Sequence, residues 1–358
     1  MVAAKAYICG TFDTKGRELF YLRDCLKTQG IAALAVDLSP VDAAADRGTD
    51  FKPSDIAALH PQGASAVFTG ERGTAVAAMA EAFTRFILAR DDVGGLVSAG
   101  GSGACSLATP AMRALPLGVP KLMVTTMAAG DTRVYVGSSD IALLYPVTDI
   151  AGLNRISAVI LAKAAGALAG MMKAEPPANL ALKPAIGLTM FGVTTPCVQM
   201  VTAALEDRYD CIVFHATGAG GRSFEQLAAA GMFAGVIDVT TTEIADEIAG
   251  GVLTAGPERL DVFATHAVPY VGSLGAVDMA NFFARDTVPP ALAHRHFHIH
   301  NANVTLMRTT PVENAAIGAF IGAKLNRMKG PVRFLIPEGG VSALDAPGKP
   351  FHDPEAMQ

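Results

Sequence analysis

Short apolar runs alternate along the chain with longer segments whose apolar residues recur at helical spacing. In the first half the runs are residues 6–9, 31–36, 95–98, 122–125 and 141–147, and the helical segments are 16–28, 74–89, 105–114 and 150–172. Runs of this length bounded by turn residues read as buried strands, and their alternation with helices predicts a parallel sheet covered on both faces. The same rhythm resumes at 185–189, 211–215, 235–239, 262–265, 297–300 and 332–336. Between the halves, residues 174–179 (AEPPAN) combine a proline pair with polar residues, which favours an extended connector. The expected organisation is therefore α/β with two domains, 1–175 and 180–358.

Turn sequences repeat as well. Gly10–Thr14 after the first strand has a counterpart in Gly192–Thr195, and Ser98–Gly103 has one in Ala216–Gly221. A duplicated unit and the recurrence of glycine-rich turns by chemical necessity both account for these echoes.

Of the 358 residues, 51% are apolar and 17% charged, against roughly 25% charged in an average soluble domain. Such a chain can bury large cores and a subunit interface. The net charge of −5 and the lack of a Lys/Arg block argue against a nucleic-acid groove or an anionic membrane surface as partner. A nucleotide or other small phosphorylated ligand is the expected partner class, and the chain is expected to form a homo-oligomer, a dimer in the simplest case. Lys5 interrupts the apolar amino terminus, so it reads as a first strand and not a signal peptide. The run 156–172 carries Lys163 and falls short of the ~20 residues of a membrane span. Five widely spaced cysteines with no C-x-x-C pair point to a reducing, cytoplasmic setting.

The candidate chemistry lies in the turns. CGTFDTKG brings Gly10, Thr11, Asp13, Thr14 and Lys15 to a strand-to-helix junction, and Gly100, Gly101, Ser102 and Gly103 form a second one. Neighbouring glycines let backbone amides converge, and a helix start adds partial positive charge, so these turns suit a phosphate. Neither is a standard fingerprint, since Ser106 stands where a dinucleotide motif has its third glycine. Thr126 in the turn after the fourth strand completes this first set. Asp13 repels a polyphosphate, and so is expected either to face Mg²⁺ or to cap the following helix.

A second set is expected to line a cleft in the other half: Thr194, Thr195, Thr217, Gly218, Gly220, Gly221, Arg222 and Thr241, with His300 and Arg308 from later segments. His215 is the candidate for proton exchange near neutral pH, against the plainer role of ending a buried strand. Thr240–Glu243 reads as a helix-capping run. The alternating histidines His294, His296, His298 and His300 fall on one strand face, but neighbours at this spacing lie ~7 Å apart and no carboxylate joins them, so no metal is expected there.

Nine segments carry a further likeness: GTFDTKGREL, GGSGA, LPLGVPKLMVTTMAAGD, YPVTDIAGLNRIS, TMFGVTTPCV, VFHATGAGGRSFE, DVTTTEIADEIAGGVLTAGPERL, HNANVTLMRTT and IPEGGVSALDAPGKPFHDPEA. Together, and in this order over nearly the whole chain, they resemble the uncharacterised protein family typified by the ATP-binding amino-terminal domain of the tomato mosaic virus resistance protein. The resemblance implies two Rossmann-like subdomains, a dimeric assembly and binding of ATP with Mg²⁺, with no established reaction for the bacterial-type members. Antiviral activity does not follow from it. Family members usually continue beyond the PFHDPEA motif, so a closing strand and helix are expected to be missing from residues 180–358. The turn Ala128–Gly130 also lacks a hydroxyl found in the family.

ATP binding by the first domain is thus the leading expectation. An enzyme acting on a phosphorylated or carboxylated metabolite in the second domain, and an interaction or scaffold module, are the alternatives. The low charge content predicts a homodimer or larger homo-oligomer at micromolar concentration, and a monomeric mass by light scattering would refute it.

Overall fold

The computed structural model describes residues 3–41, 44, 46–175 and 182–356. Residues 176–179 of the expected connector lie outside the described residues. The chain divides into two compact units, Met1–Ala178 and Asn179–Gln358.

Unit 1 runs β1 (Lys5–Gly10), α1 (Phe12–Thr28), β2 (Ala33–Asp37), α2 (Pro53–Ala57), α3 (Arg72–Leu88), β3 (Val93–Gly100), α4 (Ser102–Ala114), β4 (Lys121–Thr125), α5 (Arg133–Val136), β5 (Ala142–Leu144) and α6 (Arg155–Lys173). Its sheet has the order β2-β1-β3-β4-β5, with every pairing parallel. Side chains alternate across β1: Tyr7 and Cys9 enter a core with Phe83, Leu96 and Cys105, while Ala6 and Ile8 enter another with Leu19, Leu22 and Leu161. Both faces are apolar because helices cover both, as in parallel sheets generally.

The 19 residues of α6 make it long and apolar enough to cross a membrane, contrary to the expected shortfall. Its inner stripe, Leu161, Ala164, Ala165 and Leu168, is packed in the core beside α1. That packing marks it as a core helix of the sheet.

Unit 2 runs β6 (Ala185–Met190), α7 (Thr195–Leu205), β7 (Asp210–His215), α8 (Ala219–Ala229), β8 (Gly235–Thr240), α9 (Thr242–Ala249), β9 (Tyr270–Gly275), β10 (Met279–Phe282), β11 (Phe297–Asn301), β12 (Val304–Arg308), α10 (Pro311–Leu325) and β13 (Val332–Leu335). A parallel sheet of order β13-β9-β8-β6-β7 is accompanied by an antiparallel one of order β10-β12-β11. Counted from the first strand of each unit, the two parallel sheets have the same order, 2-1-3-4-5. Both units are thus Rossmann-like α/β.

This shared topology separates the two sequence echoes. Gly10–Thr14 and Gly192–Thr195 both follow a first strand. The glycine turn at Gly100–Gly103 follows the third strand, whereas Gly218–Gly221 follows the second, so the topological counterpart of the former is Thr240–Glu243.

Several expectations are corrected. Residues 262–265 are not a strand but sit mainly in a 3₁₀ turn, Asp261–Ala264, and the fourth strand is β9. Its Gly272 and Gly275 disguised it, and at Gly272 a Cβ would lie 2.6 Å from the Tyr270 ring and 2.8 Å from that of Phe334. Neighbouring rings take the space that the sequence leaves empty. Residues 297–300 belong to the antiparallel sheet, whose other strands broke no obvious periodicity. The strand at 141–147 is confined to Ala142–Leu144, and α1 starts at Phe12 rather than at residue 16.

Unit 2 is built around a buried cation. The Arg259 guanidinium donates to Glu243 at 3.0 Å, Glu225 at 2.7 Å and Asp238 at 2.9 Å, and Tyr270 and Thr189 donate to Asp238 at 3.0 and 2.6 Å. Burial would lower the guanidinium pKa, but the three carboxylates hold it well above its usual range. Burial raises Glu225 and Glu243, against the pull of Arg259. Removing the cation would strand buried carboxylates, which typically costs about 3–5 kcal/mol. Arg259→Met should therefore lower the stability of unit 2 by about that amount in chemical denaturation, and a loss below ~1 kcal/mol would contradict this account.

Candidate functional site

The order of strands in unit 1 reverses between β1 and β3, the switch point at which open α/β sheets bind ligands. α1 packs on one face of the sheet and α4 on the other, so the chain diverges there and leaves a crevice. A cavity of about 500 Å³ occupies it, walled by the turn after β1, the Gly100–Gly103 turn and the start of α3. Thr11, Asp13, Thr14, Lys15, Gly100, Gly101, Ser102 and Gly103 all line it, so the two predicted turns meet at one site. Gly10 and Thr126 are not on the lining; Gly10 ends β1 against the Leu19 side chain, and Thr126 stands behind Gly101.

Three helices begin around this cavity, and their amides are met differently. At α1 the amide of Phe12 donates to Asp37 at 3.2 Å and that of Asp13 to the Ser39 hydroxyl at 3.2 Å. At α3 the Glu71 carboxylate accepts from Gly73 at 3.0 Å and Thr74 at 2.7 Å. Hydrogen bonds from Thr74 and Gly73 bring the Glu71 carboxyl down to about 2, so it stays ionised. α4 starts at Gly101 with no side-chain cap. Its Gly100 is obligatory, because a Cβ there would lie 2.5 Å from that of Ala104.

Charge at the open terminus comes from a residue the sequence reading missed. Arg72 opens α3, is exposed, and has a guanidinium nitrogen 3.7 Å from where a Cβ of Gly103 would stand. Among the described residues it makes no hydrogen bond or ion pair. Lys15, the cation of the first predicted turn, donates to the carbonyl of Ile150, and its backbone departs from helical geometry at φ −125°, ψ 18°. Asp13 sits in the first turn of α1 and accepts from Ser39 at 2.9 Å. It favours the helix start through its charge, while the direct bond to the Phe12 amide comes from Asp37.

Asp37 ends β2, the position from which an acidic residue reads a ribose in dinucleotide folds. Here it is fully buried, paired with Arg47 at 2.9 Å and bonded to Ser39. Its acceptor capacity is spent on the protein. The position was readable as the end of a strand, but only the tertiary pairing shows that the carboxylate is closed to ligand.

The second set of predicted residues is occupied internally. The Glu243 carboxylate accepts from the amides of Gly218 at 2.6 Å and Gly221 at 3.0 Å, so a protein group already fills that glycine turn. Gly220 lies so close to β7 that a Cβ would meet the His215 carbonyl at 1.8 Å. Arg222 donates to the Thr254 carbonyl at 3.2 Å and Thr217 to that of His215 at 3.3 Å. His215 is exposed at the end of edge strand β7, its Nδ1 3.2 Å from the Met190 carbonyl and its ring stacked on Phe191. Thr194 is buried and bonds Thr240 at 2.8 Å, Thr195 donates to the Phe191 carbonyl, and Thr241 donates to that of Ser273. Arg308 is buried and donates to the carbonyls of Phe351 and Asp278, while His300 is exposed on β11.

The rings of His296 and His298 pack edge-on against Phe351, at 5.4 and 6.2 Å. Among the described residues no group of three or more His, Cys, Asp or Glu side chains is placed to hold a metal ion.

Two units of one topology, one with an open crevice at its switch point, define a tandem Rossmann-like α/β protein. The chain belongs to the uncharacterised protein family UPF0261: residues 4–177 match the model of its N-terminal domain and residues 183–358 that of its C-terminal domain. It is 54% identical over 356 residues to a UPF0261 protein of Rhizobium meliloti, covering 98% of this chain and 88% of that one. A UPF0261 protein of Clostridium tetani is 44% identical, over 97% of this chain and 87% of its own length. The tomato ToMV resistance protein Tm-1(GCR237) from Solanum lycopersicum is 41% identical over 98% of this chain, which spans 50% of the tomato protein.

The two glycine turns should respond oppositely to a methyl group. At Gly221 a Cβ would stand 2.0 Å from the Glu243 carboxylate, whereas at Gly101 its nearest neighbour is the Thr126 hydroxyl at 3.8 Å. Gly221→Ala should destabilise the protein by roughly 1–3 kcal/mol and Gly101→Ala by less than ~0.5 kcal/mol in thermal unfolding. Equal effects would show that Glu243 does not fill the first of these turns.

Proposed function

We propose that unit 1 binds a nucleoside triphosphate, ATP with its magnesium, in the crevice between β1 and β3. The observation that carries this reading is the uncapped start of α4 beside an unpaired Arg72, opening on a cavity of about 500 Å³. That volume lies within the ~300–1,000 Å³ usual for small-molecule sites. A phosphate chain meets the amides of Ser102, Gly103 and Ala104, where the helix dipole favours negative charge, and Arg72 offers a forked guanidinium. Thr11, Thr14 and Ser102 add hydroxyl donors. Pro40, Val41 and Val76 supply an apolar wall for the base. Asp13 and Asp149 are carboxylates on the lining and would face magnesium through water.

The ATP and magnesium of this reading come from the family likeness, and the crevice is what fits them. Unit 2 offers less support for a metabolite-handling cleft, since Glu243 holds its glycine amides and Arg222 is tied to Thr254.

Calorimetric titration with Mg-ATP tests the proposal. A charge-assisted contact is worth about 1.5–3 kcal/mol, so Arg72→Ala should weaken binding about ten- to a hundredfold. Gly101→Val should do comparable damage by blocking the amides. Lys15→Ala should cost less than Arg72→Ala, and Arg222→Ala should leave affinity unchanged. Loss of binding in Arg222→Ala with retention in Arg72→Ala and Gly101→Val would move the nucleotide to unit 2.

A further inference from the structure

The switch point of unit 2 lies between β6 and β8, in the place where unit 1 has its crevice. Here it is covered. The segment 339–345 bonds to the chain on both sides of β8: the Ala276 amide, just past β9, donates to the Val341 carbonyl at 2.8 Å, and the Ala343 amide donates to Val193, just past β6, at 3.0 Å. Because the sheet order is β9-β8-β6, the segment must cross the end of β8, and Thr240, Thr241 and Thr242 beneath it are fully buried. α7 and α9 both begin there without a side-chain cap. Gly340 makes the crossing possible, with φ +112° and the Asp345 carbonyl 1.6 Å from where a Cβ would be.

Val341 anchors this segment in the apolar core, and polar contacts meet its outer end. Ser342 donates to Asp278 Oδ2 at 2.7 Å, and Asp345 faces Arg308 at 3.7 Å, beyond hydrogen-bond length. Asp278 Oδ1, Asp345 Oδ1 and Arg308 Nη2 are all buried and lack a hydrogen-bond partner among the described residues. Two carboxylates beside one guanidinium leave an excess negative charge in a buried site, a situation that a proton on Asp278 relieves.

We propose that residues 339–345 form a strap that closes the switch point of unit 2, and that protonation of Asp278, beneath the strap's Ser342, governs how firmly it is held. The charged groups facing Asp278 are Arg308 from β12 and Asp345 from the strap itself. Behind them, Arg295 pairs with Glu313 of α10 and donates to the Arg308 carbonyl, and the His296 ring rests on Phe351. Burial is the main force pushing the Asp278 carboxyl up to about 7. In an open strap it would return to its ordinary value near ~4, so the closed form binds the proton more tightly. Closure is favoured in full below about pH 4 and loses that contribution as pH rises to about 7.

Amide hydrogen exchange on the whole chain tests this, with protection factors corrected for intrinsic exchange read at Ala276 and Ala343. Wild-type protection at both amides should fall at least about tenfold between about pH 5 and pH 7.5, and Asp278→Asn should remove that dependence. Ser342→Ala should lower protection at Ala343 at every pH while leaving the β8 amides unchanged. Flat wild-type protection, an Asp278→Asn profile with the wild-type slope, or Ser342→Ala protection equal to wild type would each overturn the proposal. Should Asp278→Asn not fold, the wild-type profile and Ser342→Ala still decide it.

Discussion

Every helix exposes amides with no partner in its own first turn, and meeting that demand organises this molecule. Asp37 serves α1, Glu71 serves α3, Asn154 serves α6, Glu243 serves α8, and Thr310 with Glu313 serves α10. Each is an internal acceptor standing where an outside anion would otherwise bind. Three helices at the two switch points, α4, α7 and α9, are the informative exceptions. α4 opens on a cavity, while α7 and α9 begin beneath a covering segment.

The same demand explains why two units of one topology differ as sites. In unit 1 the carboxylates near the crevice serve neighbouring helices or face the cavity, which leaves α4 and Arg72 uncommitted. In unit 2 the turn after the third strand leads into Glu243, whose carboxylate reaches back to Gly218 and Gly221 and is held by Arg259. That arrangement fills one glycine turn and ties three carboxylates to a single buried cation. Unit 2 thus adds a buried ionic cluster to its apolar cores, while the faces of β1 in unit 1 pack into apolar cores on both sides.

Much of the fold was legible because it follows from local periodicity. Strands β1, β3, β4, β6 and β8 are apolar runs that the sheets largely bury, and β7, a run of the same kind, is a partly exposed edge strand. Strand β9 was not, since Gly272 and Gly275 erase its apolar signature and the missing volume is supplied by Tyr270 and Phe334. Nor was the antiparallel sheet: β11 and β12 form a local hairpin, but the pairing of β12 with β10 joins residues more distant in sequence and leaves no local mark. In the site, the turns at Thr11–Lys15 and Gly100–Gly103 were readable as anion-friendly chemistry, and the structure brings them to one cavity. Arg72 was not singled out, because a charged residue at the start of a helix is ordinary until its neighbours are known.

The sequence by itself determined the class of fold, the strand-to-helix turns and the family, since all three rest on residue types in order. Tertiary structure alone decided which of those turns is open. A glycine turn offers the same amides whether solvent, ligand or a distant carboxylate meets them, and the choice depends on where residues far apart in sequence arrive. Glu243 is 25 residues from Gly218, and its arrival closes that turn. Among the described residues no comparable side chain reaches Gly101, where α4 starts uncapped at the crevice.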